Sequence, residues 1–291
     1  MRKLAVWAAM ALLAAVPAWA QRDVNETRPL SMTGSVSVSN TEGSVKVIGW
    51  SNAQVEITGT LGADVEELEI DGDSAELRIE VKAPGHREWL ETDLVLRVPV
   101  SASVEVESVS ANIEVEGVTG SVELESVSGW ARISGRPAEL AVETVSGDIT
   151  VAESAPRTDL ESVSGAITVQ QAAGRLSAES VSGAIRVEGG LLESASIETV
   201  SGDISYSGDL GRGGSYQFES MSGGVTITVP SDVSAGFDVT TFSGDIDSDL
   251  GPKPRHTSKY TPEQELEFVA GAGGAEVTVE SFSGQVKIRT R

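Results

Sequence analysis

Apolar and polar residues alternate with a period of two along most of this chain. The alternation is phased by a recurring phrase: Ser or Thr, an apolar residue, Ser, then Gly. The phrase occurs nine times, and its fourth residue is Ala111, Gly129, Gly147, Gly165, Gly183, Gly202, Gly223, Gly244 or Gly284. Four successive spacings are 18 residues, and they then lengthen to 19, 21, 21 and 40. Two and four places after this residue stand pairs such as Ile149/Val151, Ile167/Val169 and Ile185/Val187; five and seven places before it stand Val106/Val104, Leu124/Val122 and Val142/Leu140. Period-two alternation marks a strand with one buried face, and β-branched residues suit that pleated surface. Each unit therefore reads as strand, corner, strand.

Two arrangements accommodate such a unit. In an antiparallel meander the Ser-Gly is a hairpin turn; in a solenoid each unit is one coil stacked on the next. The residue before the Ser-Gly is Val109, Val127, Val145, Val163, Val181, Val200, Met221, Phe242 and Phe282, apolar in all nine units. A meander would expose these as a continuous stripe, which soluble chains avoid. A solenoid is expected to tuck them inside the corner, with equivalent side chains about 4.8 Å apart. The pattern thus predicts an all-β fold: a single-stranded parallel β-solenoid of about 18–21 residues per coil with a strand-rich N-terminal cap. The corner glycines are expected to supply positive φ, which only glycine adopts without steric cost.

The ends depart from this rhythm. Residues 33–100 read as a degenerate first coil (Val36, Val38, Val45, Val47) and a cap of longer alternating runs, with a turn at Asp71-Gly72-Asp73. Residues 101–291 form the array, interrupted at 249–275 by an excursion loop with Pro252, Pro254 and Pro262 and a short helical turn expected near 262–268. In the final strand Val286 and Ile288 face inward while Lys287, Arg289 and Arg291 alternate outward, an expected charged stop against further stacking. Residues 21–32 read as a linker. Ahead of them, Arg2 and Lys3, the apolar run Leu4 to Val16 and the Ala18-Trp19-Ala20 site have the form of a signal peptide cleaved before Gln21. That run is shorter than the roughly 20 residues of a membrane span. An extracytoplasmic location, periplasmic or secreted, and no transmembrane anchor are expected.

Composition sharpens the picture. The 291 residues carry 44 Asp and Glu against 21 Lys and Arg, a formal charge of −23, and no cysteine. This excludes disulfides, thiolate metal sites and a cysteine nucleophile, and disfavours nucleic acid as a partner. Much of the charge is regular: Glu107, Glu125, Glu143, Glu161, Glu179, Glu198, Glu219 and Glu280 lie four places before the corner residue, with Thr240 the one departure. Residues 101–250 hold 24 acidic residues against six arginines and no lysine. Such a ladder reads either as a solvated face that resists aggregation or as a surface that gathers cations. Catalytic motifs are missing: no serine in G-x-S-x-G spacing, no P-loop, no H-E-x-x-H, and two histidines, His86 and His256, in irregular segments. Arg132 and Arg186 share an outward slot, without the lysine a lyase-like site would use. Asp245, Asp247 and Asp249 are spaced as in a calcium loop but lack its glycine at position six and its glutamate at twelve. No catalytic residue and no cofactor is assigned, and calcium is the single metal considered.

The opening from Val36 to Trp50, the strand from Leu94 to Pro99 and the serial Ser-Val-Ser-Gly-x-Ile-x-Val coils together resemble the bacterial putative-adhesin family, a β-strand-repeat domain of unknown function. The resemblance spans about residues 33–291. It implies association with the cell surface or envelope, and carries no catalytic residues. The reading that follows is a non-enzymatic, exported, monomeric structural or interaction protein of the bacterial envelope. It would present a rigid acidic face to a protein or glycan. The alternatives are a carbohydrate-active β-helix enzyme, which needs a groove with convergent acids and a basic partner, and a calcium-stabilised surface protein.

Overall fold

A computed structural model describes residues 22–83, 90–258 and 260–291. The chain is all-β, with 23 strands joined in one mostly parallel sheet and no helix among the described residues. The expected signal peptide and His86 lie outside the described residues.

The regular windings occupy the middle. They comprise β7 (Ser103–Glu116), β8 (Ser121–Ser126), β9 (Ala131–Ser134), β10 (Glu139–Thr144), β11 (Ile149–Val151), β12 (Arg157–Ser162), β13 (Ile167–Val169), β14 (Gly174–Ser180), β15 (Ile185–Thr199), β16 (Ile204–Ser220) and β17 (Val225–Val229). Strands before the corner pair in parallel from winding to winding, so that Leu124, Val142, Leu160 and Ala178 stand in one column. Strands after the corner do the same with Ile133, Val151 and Val169. The two columns face each other inside the winding, where Leu140, Val142, Ile149 and Val151 are 0–1% exposed. Small buried residues such as Ala155 and Ala172 close the third side. This is the solenoid-like stack that the 18-residue period implies; no hairpin joins successive regular windings. Where the spacing lengthens, the interior widens: Tyr206, Tyr216 and Phe218 fill it, with ring centroids 5.6–6.2 Å apart.

The front is built from β1 (Arg22–Pro29), β2 (Ser35–Trp50), β3 (Gln54–Leu61), β4 (Glu67–Gly72), β5 (Glu76–Lys82) and β6 (Thr92–Pro99). β2 is a full winding, parallel to β7 on one side and to β5 and β6 on the other. The outer winding of β5 and β6 is then sealed by antiparallel strands, β4 on β5 and β3 on β6, with β1 on β3. The segment read as a linker therefore contains β1, because it completes an antiparallel edge. Strand β4 runs through Gly72, and the reversal comes at Asp73, whose carboxylate accepts the Ala75 and Glu76 N–H groups at 2.7 and 3.2 Å.

The back overturns two expectations. It contains β18 (Ala235–Thr241), β19 (Ile246–Ser248), β20 (Arg255–His256), β21 (Gln264–Ala270), β22 (Ala275–Ser281) and β23 (Val286–Thr290). β22 pairs with both β16 and β18, and β23 with both β17 and β19. The last winding in sequence is thus inserted beneath the one before it. Lys287, Arg289 and Arg291 are not a terminal stop: the Arg289 guanidinium meets Asp247 and Asp249 of the outer winding, and Arg291 meets Asp209. The outer edge is covered instead by β21, antiparallel to β18. Residues 264–270 are strand rather than a helical turn, because Leu266 is buried at 2% exposure and Phe268 stacks on Phe237 at 4.8 Å.

Candidate functional site

The corner decides what the molecule presents. The alternation changes phase inside it: Leu140, Val142 and Thr144 face inward, Val145 and Ser146 both face out, and Gly147 and Ile149 face inward again. The inside corner position belongs to the hydroxyl residue that opens the phrase, and Ser126, Thr144, Ser162, Ser180, Thr199, Ser220, Thr241 and Ser281 are all buried. Seven of these hydroxyls accept the corner glycine N–H at 2.8–3.1 Å. Thr144 instead donates to the Gly147 carbonyl at 2.8 Å. A buried amide left unpaired is costly, and an inward valine could not satisfy it. The expectation that Val145 and its counterparts fill the corner is therefore wrong.

The corner glycine also has a different task from the one expected. None of Gly129, Gly147, Gly165, Gly183, Gly202, Gly223, Gly244 and Gly284 has positive φ. A Cβ at any of them would lie 1.7–1.9 Å from the carbonyl oxygen of the adjacent corner. Glycine is present so that windings can approach. Ala111 is tolerated where β7 runs unbroken through the position without a bend.

Displaced from the interior, the nine apolar residues form an external ladder. In spatial order it runs Val109, Val127, Val145, Val163, Val181, Val200, Met221, Phe282 and Phe242, each 44–59% exposed. The Phe242 and Phe282 rings stack at 5.0 Å with an 8° interplanar angle. Eight steps of about 4.8 Å make it roughly 38 Å long. The serine beside the rung locks the backbone: Ser164 donates its N–H at 2.9 Å and its hydroxyl at 3.2 Å to the Val145 carbonyl, and Ser182, Ser201, Ser222, Ser243 and Ser283 repeat both bonds.

Two residues before each apolar rung, on the same outward side, stands the glutamate. Register pairs Glu107, Glu125, Glu143, Glu161, Glu179, Glu198, Glu219 and Glu280 in one unbroken column. Thr240, which interrupts the series in sequence, lies beyond Glu280 at the end of the column. None of the eight forms an ion pair among the described residues. Partial burial, then repulsion from the glutamates above and below, raises the carboxyls of Glu125 and Glu179 above the ordinary range. Between the two ladders runs a groove of about 1110 Å³, floored by the hydroxyl residues and extending from Ser39, Asn40 and Thr41 of β2 to Phe242 and Glu263.

The other candidates do not assemble into a site. Asp247 and Asp249 are taken up by Arg289, and Asp245 accepts Gln264 at 3.2 Å. Among the described residues no group of three or more His, Asp or Glu is placed to hold a metal ion. Arg132 lies 4.9 Å over the Trp130 ring. Thr150 and Thr168 separate it from Arg186 in the column, so the two arginines do not converge. His256 is exposed on β20. No helix among the described residues is long and apolar enough to cross a membrane.

The model of the Toastrack DUF4097 family matches residues 22–289. The chain belongs to that family. No curated protein matches it. Among solved structures it is similar to a "putative adhesin" from Bacteroides fragilis, at 11% identity over 92% of this chain and 97% of that one, TM-score 0.42. A "putative adhesin" from Parabacteroides distasonis matches at 10% identity over 92% and 97%, TM-score 0.40. A "putative lipid binding protein" from the same species matches at 11% over 91% and 96%, TM-score 0.47.

Proposed function

We propose that this Toastrack DUF4097 chain is a non-enzymatic interaction protein of the bacterial envelope, exported through its N-terminal segment to the periplasm or beyond. In this reading the regular windings form a single-stranded parallel solenoid, and the groove along it is the surface that meets a protein or glycan. One observation carries the proposal: nine apolar side chains stand outside the fold in an aligned row. The corner needs glycine and a hydroxyl, but nothing in its hydrogen bonding requires an outward hydrophobe. Large aligned apolar surfaces on soluble proteins mark interaction sites. The eight flanking carboxylates exclude phosphate backbones and disfavour pairing of two copies groove to groove, so the protein acts as a monomer.

A photo-crosslinking residue at Val163, in the groove, compared with one at Thr168, on the post-corner strand, tests this with a labelled envelope fraction. Adducts specific to position 163 support the reading. Equal labelling at both positions, or turnover of an envelope polysaccharide by the purified protein, overturns it. N-terminal sequencing of the exported protein is expected to begin at Gln21.

A further inference from the structure

Given the groove as the interaction surface, the geometry points to its occupant: we infer that it accepts a cationic amphipathic α-helix. Three features of the groove restrict what fits. Its backbone is already spent. Val163 N–H goes to Thr144 O at 3.2 Å and Ser164 N–H to Val145 O at 2.9 Å, and each winding repeats this. A peptide laid along the groove therefore finds no free ladder edge to join, which removes strand addition, the usual mode for extended segments. An occupant whose own backbone is satisfied internally is favoured, and a helix meets that condition.

The two walls then select the helix face. One wall is apolar throughout; the other carries eight glutamates with no ion pair among the described residues. A helix with an apolar stripe and a neighbouring stripe of Lys or Arg complements both walls at once. Its turns recur at about 5.4 Å, close to the winding repeat of about 4.8 Å, so successive turns meet successive rungs over several turns. The groove length of roughly 38 Å matches about 25 helical residues at about 1.5 Å each. A neutral acyl chain would leave the glutamate column unanswered, and an anionic ligand would be repelled by it.

The test uses the full exported chain and a synthetic 25-residue Lys/Leu peptide with leucines at helical spacing. Controls are the same peptide with Glu for Lys, a version broken by two central prolines, and phosphatidylcholine vesicles. The expected result is saturable binding of the Lys/Leu peptide, on the order of tenfold weaker in 0.5 M than in 0.1 M NaCl because the pairing is screened, and no comparable binding of any control. Val163→Ser and Val163→Asp should each weaken binding, Asp on the order of tenfold, and Glu161→Gln with Glu179→Gln should flatten the salt dependence. Thr168→Ser should change nothing. These are outward positions, and an unchanged circular dichroism spectrum shows that the fold persists.

Equal binding of the proline-broken peptide, preference for the acidic peptide or the vesicles, or indifference to Val163→Asp would each overturn the helix assignment. If the peptide fails while crosslinks at Val163 remain specific, the groove stands as the interaction surface and only its occupant is wrong. If both fail, the interaction reading falls with it.

Discussion

Replacing Gly165 by alanine adds one methyl group, and its cost can be worked from the contacts it meets. The new Cβ would stand 1.9 Å from the Gly147 carbonyl oxygen, where an unstrained contact needs about 3.5 Å. The obstacle is backbone, so relief requires the windings to part locally by more than about 1 Å. Such a separation breaks the bonds that cross this corner: Val163 N–H to Thr144 O, Ser164 N–H to Val145 O, and the Ser164 hydroxyl to the same carbonyl. At about 1 kcal/mol net for each, the loss is about 3 kcal/mol. Urea denaturation followed by circular dichroism measures it. Because stacked repeats are stabilised by nearest neighbours, the defect weakens its own junction most, and a second transition between the two halves is the expected signature. Two comparisons separate close approach from backbone conformation. Asparagine tolerates positive φ better than alanine does, so if conformation mattered Gly165→Asn would be the milder change; close approach makes the two equally damaging. Gly117, with φ +67° and no atom within 4 Å of the place its Cβ would take, should accept asparagine at under about 1 kcal/mol. A Gly165→Ala protein within about 1 kcal/mol of wild type would refute the reasoning.

Ser162→Ala removes the acceptor of the Gly165 N–H, 2.9 Å away in the buried corner, and should cost about 1–3 kcal/mol in the same assay, more than Ser164→Ala on the surface. The pH dependence should be inverted at first. The raised carboxyls of Glu125 and Glu179 bind protons more readily folded than unfolded, so the melting temperature should rise as pH falls from 7 through their folded values toward the ordinary 4.5. Below that, the lowered carboxyls of Glu69, Asp73 and Asp247 lose their contribution as pH falls through their folded values, and stability should drop; a monotonic fall from pH 7 would contradict this account. Arg289→Met unpairs Asp247 and Asp249 at an exposed site, so the melting curve should hardly move, but hydrogen exchange should quicken selectively in β19.

Much of this architecture is legible in the chain because one period governs it. The 18-residue spacing and the inward pairs such as Ile149/Val151 are both read directly from the repeat. Alternation counted forward from Leu140 and Val142 places Val145 outward and counted back from Ile149 and Val151 places it inward, so it does not decide the corner; the expectation of an inward valine rests on the premise that a hydrophobic row must be buried. The decisive signal is the invariably hydroxylated position ahead of it, since Thr144 and Ser162 serve the corner in a way no apolar residue could. Insertion of β22 and β23 beneath β18 and β19 is not readable from local pattern, because each edge could pair equally well with several windings. Only the 40-residue gap before Gly284 hints at an outward and return path. The same insertion restores continuity to the glutamate column, which in sequence order is broken at Thr240.

The row of apolar residues has two candidate physical causes, and their magnitudes differ. Each valine is roughly half covered, 44–51% exposed, partly by its neighbours in the row, so stacking along the ladder contributes to stability by itself. At about 25 cal/mol per Å² the half of a valine side chain that is covered contributes about 1 kcal/mol. If stacking were the whole cause, Val163→Thr, which trades one methyl of the row for a hydroxyl, should cost a measurable part of that contribution, and the row would have no reason to admit Met221 and Phe282, whose exposed fractions rise to 59% and 56%. Met221 and Phe282 offer solvent more than half of a larger side chain, while Phe242 beyond them, stacked on Phe282, stays at 45%. Exposure of that size is costly for an isolated rod and useful for one with a partner. Val163→Thr should therefore leave the melting temperature almost unchanged while weakening groove binding. A variant that loses stability and binding in the same proportion would assign the row to the fold alone.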